Sequence, residues 1–323
     1  MAIQTQILPG EKTQQSKRTA VSVKNLRKVL SRYGMLYLML VPGIIYFIVF
    51  RFVPIGGLVM AFQNYQIMKG VFHSPWVGFQ NFIDVFTGPF FSRVVYNSFK
   101  ISFLKLLFGF PAPLILALML NEIRRNWYKR FVQTVSFLPN FLSWVVIYGI
   151  VLALLQPSTG LFNELIQNAG GRPINFLTDP VWFIVVLVVS SIWAYTGYGA
   201  IIYLAALSSI SPELYEAATL DGANHLQQIW HISLPDIMPV MVILLVLNLG
   251  SILDADFAQV YIFYNPQVYA VADIIDTWVF RNGITQMQIG IATAMGFFRS
   301  VIGLVMILGA HFAAKKITGS GIW

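Results

Sequence analysis

The chain has 323 residues, of which 57% are hydrophobic and 11% are charged, and its net charge is +8. Soluble domains usually contain about a quarter charged residues, so this composition excludes an ordinary soluble domain and predicts a membrane protein. Cysteine is absent, which excludes disulfides and thiolate chemistry, and the basic residues collect in the N-terminal tail and short loops, which argues against nucleic-acid binding.

The N-terminal tail, residues 1–33, is polar and basic, and its first part is predicted to be disordered. The part from about Val21 to Arg32 is expected to form a basic amphipathic helix on the membrane surface. An apolar run from about Met35 to Ala61 follows, and it lacks a small-residue cleavage site, so we predict an uncleaved signal anchor. Pro54 and the glycines after it are expected to kink or end this helix.

Hydropathy predicts five further spans, which makes six in all. They cover about Phe99–Leu120, Phe131–Leu155, Val181–Leu207, Ile237–Phe257 and Ile289–Ala313. The segments expected outside the membrane are Phe62–Asn97, with a short interfacial helix, then Gln156–Pro180 and the stretch from the fifth span to Gln288.

Loop charge predicts the orientation of these spans. Most Lys and Arg residues lie in the tail, in the loop Asn121–Arg130 and at the C-terminus, so the positive-inside rule places both termini in the cytoplasm. Each span must satisfy its backbone hydrogen bonds internally, which predicts an all-α transmembrane bundle, with the tail at residues 1–33 and the membrane domain at 34–323. Six spans put the polar segment after the fourth span, residues 211–239, in the cytoplasm.

This polar segment, called the elbow below, has the signals of a helix-turn-helix. Ser211 suits an N-cap and Pro212 the first helical position, so a first helix should run to about Leu220. Asp221-Gly222 predicts a break, and a second helix should run from about Asn224 to Ser233. Pro235 and Pro239 should then separate the elbow from the next span.

A motif within the elbow resembles the EAA loop of binding-protein-dependent ABC importer permeases. The match consists of Glu216-Ala217-Ala218, three residues, Gly222, nine residues, Ile232, one residue and Leu234-Pro235. Asp221 and Ala223 extend it to the form found in carbohydrate importers. The resemblance implies that the elbow couples the chain to an ATPase, through Glu216, Ala217, Ala218, Asp221, Gly222, Leu234 and Pro235. The alternative from geometry alone is an ordinary amphipathic loop.

The same resemblance implies a type I importer permease of six spans in a bacterial cytoplasmic membrane. Such a permease pairs with a second permease, usually a different chain, and with two ATPase subunits and an extracytoplasmic solute-binding protein. ATP and magnesium would bind the partner ATPase, and this chain itself has no GxxxxGK[ST] phosphate loop. It is expected to be a transporter subunit and not an enzyme.

Two stretches near the N-terminus carry a narrower resemblance. LYLMLVPGIIYFIVF followed by SPWVGFQNF is similar to the start of permeases that import oligosaccharides derived from polysaccharides, including the larger permease subunit of alginate-oligosaccharide importers. An acidic, alginate-like sugar would be favoured by basic residues if they face the cavity. The candidates are Arg51, Lys100, Lys105 and Arg299.

Polar and aromatic side chains within the spans are candidates for the cavity wall. Asn248, Ser251 and Asp254 recur every three residues and should share a helix face. Tyr195 and Tyr198 share a face of the fourth span with Ser191, and aromatic rings can pack against sugar C–H groups. Polar contacts between helices are the alternative. Lys105 lies deep enough to face the protein interior or an aqueous cavity.

Two other function classes would leave different sequence features. A stand-alone secondary sugar transporter or channel would show internal symmetry or a buried acid–base pair, and neither stands out. A membrane enzyme would need clustered catalytic groups. The four histidines are scattered without metal-binding spacing, so no metal site is expected.

Overall fold

The computed structural model describes residues 23–318, with side chains from 33 to 316, and the regular secondary structure of this part of the chain is helical, with one isolated bridge between Gln63 and Trp76. The helices up to the middle of the chain are α1 (Val23–Phe47), α2 (Val53–Ile55), α3 (Gly70–His73), α4 (Gln80–Thr87), α5 (Phe91–Gly109), α6 (Pro111–Glu122), α7 (Asn126–Phe137) and α8 (Trp144–Leu155). They are followed by α9 (Leu161–Asn168), α10 (Pro180–Leu207), α11 (Pro212–Leu220), α12 (His225–Gln228), α13 (Leu234–Gly250), α14 (Phe257–Phe263), α15 (Tyr269–Ala272), α16 (Ile275–Phe280) and α17 (Ile289–Thr318). Turns of π-helix cover Ile48–Phe52, Ile229–Ser233 and Arg281–Thr285, and 3-10 turns cover Gly56–Phe62, Leu138–Phe141 and Pro266–Val268.

The chain forms two compact units, one up to Gly57 and the other from Leu58 onward. In the first unit α1 is regular as far as Phe47, and the backbone then changes to a π turn before Pro54. Proline has no N–H, and its ring clashes with the carbonyl four residues earlier, so a wider turn relieves the conflict. This agrees with the expected end of the regular helix near Pro54. The predicted surface helix from Val21 to Arg32 lies partly outside the described residues, and from Val23 its backbone continues into α1.

Five helical segments of the described chain are long and apolar enough to cross a membrane. They are Tyr33–Phe62, Phe91–Glu122, Pro180–Leu207, His225–Gly250 and Ile289–Lys316. A bent pair, Asn126–Phe141 with Trp144–Leu155, makes a sixth span if it is counted as one. The predicted all-α bundle of six spans is confirmed in this sense.

The third predicted span, Phe131–Leu155, is not one continuous helix. The two halves, Asn126–Phe141 and Trp144–Leu155, meet at 106° because the backbone is extended at Leu142 and Ser143, directly after a 3-10 turn at Leu138–Phe141. Ser143 then caps α8 by accepting a hydrogen bond from the Val146 N–H at 3.4 Å.

Several predicted loops are helical. The second span begins at Phe91, and the basic loop is short because α6 ends at Glu122 and α7 begins at Asn126. The stretch expected as a loop after the fifth span folds into three short helices. Those helices bury backbone and side chains against α5 and α10, which a solvated loop would not do.

Helix α10 is the central element of the second unit. Half of its membrane window is buried, against 11 to 17% in the other three spans of that unit. Asp179 caps its start by accepting from the N–H groups of Val181 and Trp182 at 2.9 and 3.0 Å. A Cβ on Gly197 would overlap the backbone of Ser136 and Phe137, so glycine lets α7 approach closely. The fourth span therefore organises the cavity described next.

Candidate functional site

A cavity of about 420 Å³ lies between α5, α6, α10 and the end of α13. Its polar and aromatic lining residues are Ser102, Lys105, Phe110, Ser191, Tyr195, Thr196, Tyr198, Tyr203, Asn248, Ser251, Asp254 and Asp256. All five predicted cavity residues, Tyr195, Tyr198, Asn248, Ser251 and Asp254, are in this set. Their contact with a transported molecule stays a prediction.

The predicted shared helix face of Asn248, Ser251 and Asp254 is wrong. Helix α13 ends at Gly250 and does not continue to Phe257, so Ser251 is its C-cap and Asp254 lies beyond it. The residues Ser251–Asp256, called the wall segment below, bring the side chains to the cavity by an irregular path. Backbone without helical bonds is tolerated at membrane depth only where it is buried in protein or lines a cavity.

The wall segment is fastened at both carboxylates. Asp256 has left-handed backbone geometry (φ 61°), accepts a hydrogen bond from the Tyr195 hydroxyl at 2.9 Å and caps α14. The Asp254 carboxylate pairs with the Arg299 guanidinium at 3.0 Å, and Arg299 also donates to Asp276 at 2.5 Å. Burial raises the pKa of Asp276, and the positive charge of Arg299 opposes that rise. Asp254 also lines a neighbouring cavity of about 720 Å³, together with Arg299 and Asp276.

Lys105 reaches the wall segment from α5. Its ammonium donates to the backbone carbonyl of Ala255 at 2.8 Å and to the side-chain oxygen of Gln259. The prediction that Lys105 faces the interior is confirmed. Of the other basic candidates, Arg299 lines the neighbouring cavity, Lys100 lines neither cavity, and Arg51 lies in the first unit.

Aromatic rings hold one side of the cavity. Tyr198 stacks on Phe137 with ring centroids 6.0 Å apart, and Tyr195 meets Trp144 edge to face at 5.9 Å. Thr196 and Tyr203 line the same wall and were not among the predicted cavity residues. Extending the helical spacing from Ile192 through residues 196, 199 and 203 would have found them.

The elbow has the predicted helix-turn-helix geometry at its first half. Helix α11 covers Pro212–Leu220, and Gly222 has the left-handed backbone (φ 82°) expected at the break. Ser211 occupies the N-cap position, but its side chain makes no capping hydrogen bond. Asn224 begins the second helix through a capping box with Gln227.

The second half of the elbow differs from the prediction. The helix does not end at Ser233, because α12 continues through the π turn Ile229–Ser233 into α13. Pro235 and Pro239 therefore do not interrupt it, since the π turn shifts the hydrogen-bond pattern ahead of Pro235. One helical rod, His225–Gly250, joins the elbow to the cavity wall.

The motif residues divide into two groups. Ala218, Asp221 and Gly222 line a groove of about 290 Å³ on the elbow, and Glu216 and Ala217 are exposed beside it. Leu234 packs with the core around Tyr203 and Ile237, while Pro235 is exposed. The Tyr215 hydroxyl lies 2.9 Å from the Ser233 hydroxyl and ties α11 to the rod. The elbow is thus tied to the rod by a side-chain contact, and it presents small residues and the Glu216 carboxylate at its surface.

The ion pairs of Arg299 are expected to hold the wall segment in place. Replacing Arg299 by Gln leaves Asp254 and Asp276 without their cation, and we expect amide hydrogen exchange across residues 251–256 to rise about tenfold. Hydrogen-exchange mass spectrometry of the purified protein measures this. Ser300→Ala is the matched control, since Ser300 is exposed and bonds only within its own helix. Unchanged exchange in Arg299→Gln would show that the ion pairs do not hold the segment.

These features define a class of protein: a multi-pass helical membrane protein with a polar cavity between its spans and an elbow of two helices that joins two of the spans. The sequence profile of the family described as binding-protein-dependent transport system inner membrane component matches residues 109–319. The chain belongs to this family.

Relatives match nearly the whole chain. Protein LplB of Bacillus subtilis (strain 168) is 44% identical over 294 residues, which are 91% of this chain and 92% of that protein. The polygalacturonan/rhamnogalacturonan transport system permease protein YteP of the same organism is 43% identical over 300 residues, 93% of this chain and 94% of YteP.

Two solved structures are also similar. One is a bacterial ABC transporter involved in the import of the acidic polysaccharide alginate, with a TM-score of 0.84 and 42% identity over 91% of this chain and 99% of the matched chain. The other is a bacterial alginate ABC transporter in complex with an alginate pentasaccharide-bound periplasmic protein, with a TM-score of 0.84 and 41% identity over 92% and 99%.

Proposed function

We propose that this chain is a permease subunit of an ATP-driven importer that carries an acidic oligosaccharide into the cytoplasm. The observation that carries the proposal is the 41 to 43% identity, over more than nine tenths of the chain, to transporters of polygalacturonan/rhamnogalacturonan and of alginate. The polar cavity with Tyr195, Tyr198 and Asn248 on its wall supports it, because rings and amides suit a hydroxyl-rich ligand.

The proposed assembly contains partners that supply what this chain lacks. A second, different permease would complete the pathway, two ATPase subunits would bind ATP and magnesium, and an extracytoplasmic solute-binding protein would deliver the sugar. Both termini and the elbow would face the cytoplasm, because the basic tail and loops favour that side.

The helical rod suggests how the elbow would act on the cavity. Residues His225–Gly250 form 26 residues of helix, about 39 Å at the usual rise per residue. Closure of the ATPases on ATP would displace the elbow, and the rod would carry that displacement to Asn248 and the wall segment. The cavity would switch from inward to outward access in this way.

Purification from the native membrane in mild detergent tests the assembly. We expect an ATPase subunit and a second permease to copurify with this chain, and ATP hydrolysis to rise when the solute-binding protein and an acidic oligosaccharide are added. A neutral oligosaccharide is the control for the substrate. A homogeneous chain that transports sugar without either partner would overturn the proposal and favour a stand-alone transporter.

A further inference from the structure

The ammonium group of Lys105 is placed to meet a ligand in the cavity of about 420 Å³ between α5, α6, α10 and α13. Lys105 is partly buried and lines the cavity, and among the described residues no carboxylate lies within 4.0 Å of its ammonium. Arg299 differs, because two carboxylates already neutralise it. Lys105 therefore keeps a charge that a ligand could use.

The hydrogen-bond partners of Lys105 fix the position of its ammonium without neutralising its charge. Gln259 is fully buried, and its amide nitrogen donates to the Leu187 carbonyl at 2.8 Å and to the Ser190 hydroxyl at 2.9 Å. These bonds orient the Gln259 oxygen toward Lys105. The two groups that accept hydrogen bonds from Lys105 are the Gln259 side-chain oxygen and the Ala255 carbonyl, and both are neutral.

The hydrogen-bond inventory leaves one donor on Lys105. A lysine ammonium carries three N–H groups, and the two contacts above use two of them. A charged hydrogen bond to a carboxylate is about twice as strong as a neutral one. A partly buried ammonium with one free N–H and no ion pair among the described residues is suited to a carboxylate that enters the cavity.

The two carboxylates on the same wall, Asp254 and Asp256, do not pair with the remaining N–H of Lys105. Asp254 is paired with Arg299, and Asp256 accepts from Tyr195 while capping α14. The carboxylates are thus held by groups other than Lys105, which leaves its third donor for the ligand.

We propose that Lys105 recognises the carboxylate of a uronic-acid residue and so sets the preference of the cavity for acidic over neutral oligosaccharides. This inference rests on the proposed import function. Lys105 would also anchor the wall segment, so its test must separate charge recognition from support of the fold.

The experiment uses the complete importer in proteoliposomes with its solute-binding protein. The same binding protein serves every variant, so a difference in selectivity between variants arises at the permease. The probes are a galacturonic acid trimer and the galactose trimer made from it by reduction of the carboxyl groups. The readout is the ratio of the half-saturating concentrations of the two trimers for stimulation of ATP hydrolysis. A ratio within one preparation does not depend on how much complex assembles.

Lys105→Gln is expected to raise the half-saturating concentration of the acidic trimer about tenfold or more and to leave that of the neutral trimer unchanged. Lys105→Arg should keep most of the acidic preference, and Lys100→Gln, on the same helix but outside the cavity, should match the wild type. An unchanged ratio in Lys105→Gln overturns the inference, as does a loss of preference in Lys105→Arg as large as in Lys105→Gln. A wild-type complex that prefers the neutral trimer overturns the acidic-substrate proposal itself, and the inference with it.

Discussion

Replacing Glu216 by Lys is expected to lower uptake and substrate-stimulated ATP hydrolysis about ten- to a hundredfold, while membrane insertion and folding stay normal. Glu216 is exposed on α11 and makes no hydrogen bond or ion pair within the described residues, so its loss removes nothing that supports the fold. A charged hydrogen bond to a partner is worth about 1.5 to 3 kcal/mol, which gives this range. Uptake by whole cells and ATPase activity of the purified complex measure the effect.

Glu213 provides the matched control for this experiment. It lies one turn earlier on the same helix, is also exposed, and stands outside the motif. Glu213→Lys changes the charge by the same amount and should retain most of the coupling. Equal impairment in both variants would indicate a general charge effect on the elbow, and normal coupling in Glu216→Lys would count against its proposed role.

The elbow shows how far local signals reach. Pro212 and Gly222 act on their own backbone, through a fixed φ and a left-handed conformation, so the sequence predicts where α11 begins and breaks. The continuity of α12 with α13 was not predictable in the same way. Ahead of Pro235 the backbone can form either a regular α-helical turn or a π turn. The contact between Tyr215 and Ser233, which favours the π turn, exists only after the chain has folded.

The cavity wall shows the opposite case. Residues Asn248, Ser251 and Asp254 were found by spacing, but that spacing assumed a helix that ends at Gly250. The wall segment that follows is bonded in its irregular path by Lys105, Tyr195 and Arg299, which are distant in sequence, so spacing along the chain could not predict it. Hydropathy reports only the apolar length of a segment, so it could not distinguish a straight span from the pair of helices bent at Leu142 and Ser143.

Removal of the Asp273 carboxylate is expected to destabilise the protein more than any other single change in the stretch between the last two spans. Asp273 is 1% exposed, and its two oxygens accept from the two guanidinium nitrogens of Arg281 at 3.1 and 2.7 Å. Thr277 donates a further hydrogen bond at 2.8 Å. These hydrogen bonds from Arg281 to Asp273 raise the pKa of the guanidinium. The guanidinium stays charged after the carboxylate is lost, because an arginine side chain is not deprotonated in proteins.

Asp273→Ala therefore leaves a partly buried positive charge without its partner, which costs about 3 to 5 kcal/mol. The expected result is a fall of roughly 10 °C in the midpoint of thermal unfolding, measured by scanning fluorimetry of the protein in detergent. The double variant Asp273→Ala, Arg281→Met removes the orphan charge as well and should recover part of the loss. A double variant as unstable as the single one would mean that the damage comes from lost packing around α15 and α16 and not from the unpaired guanidinium.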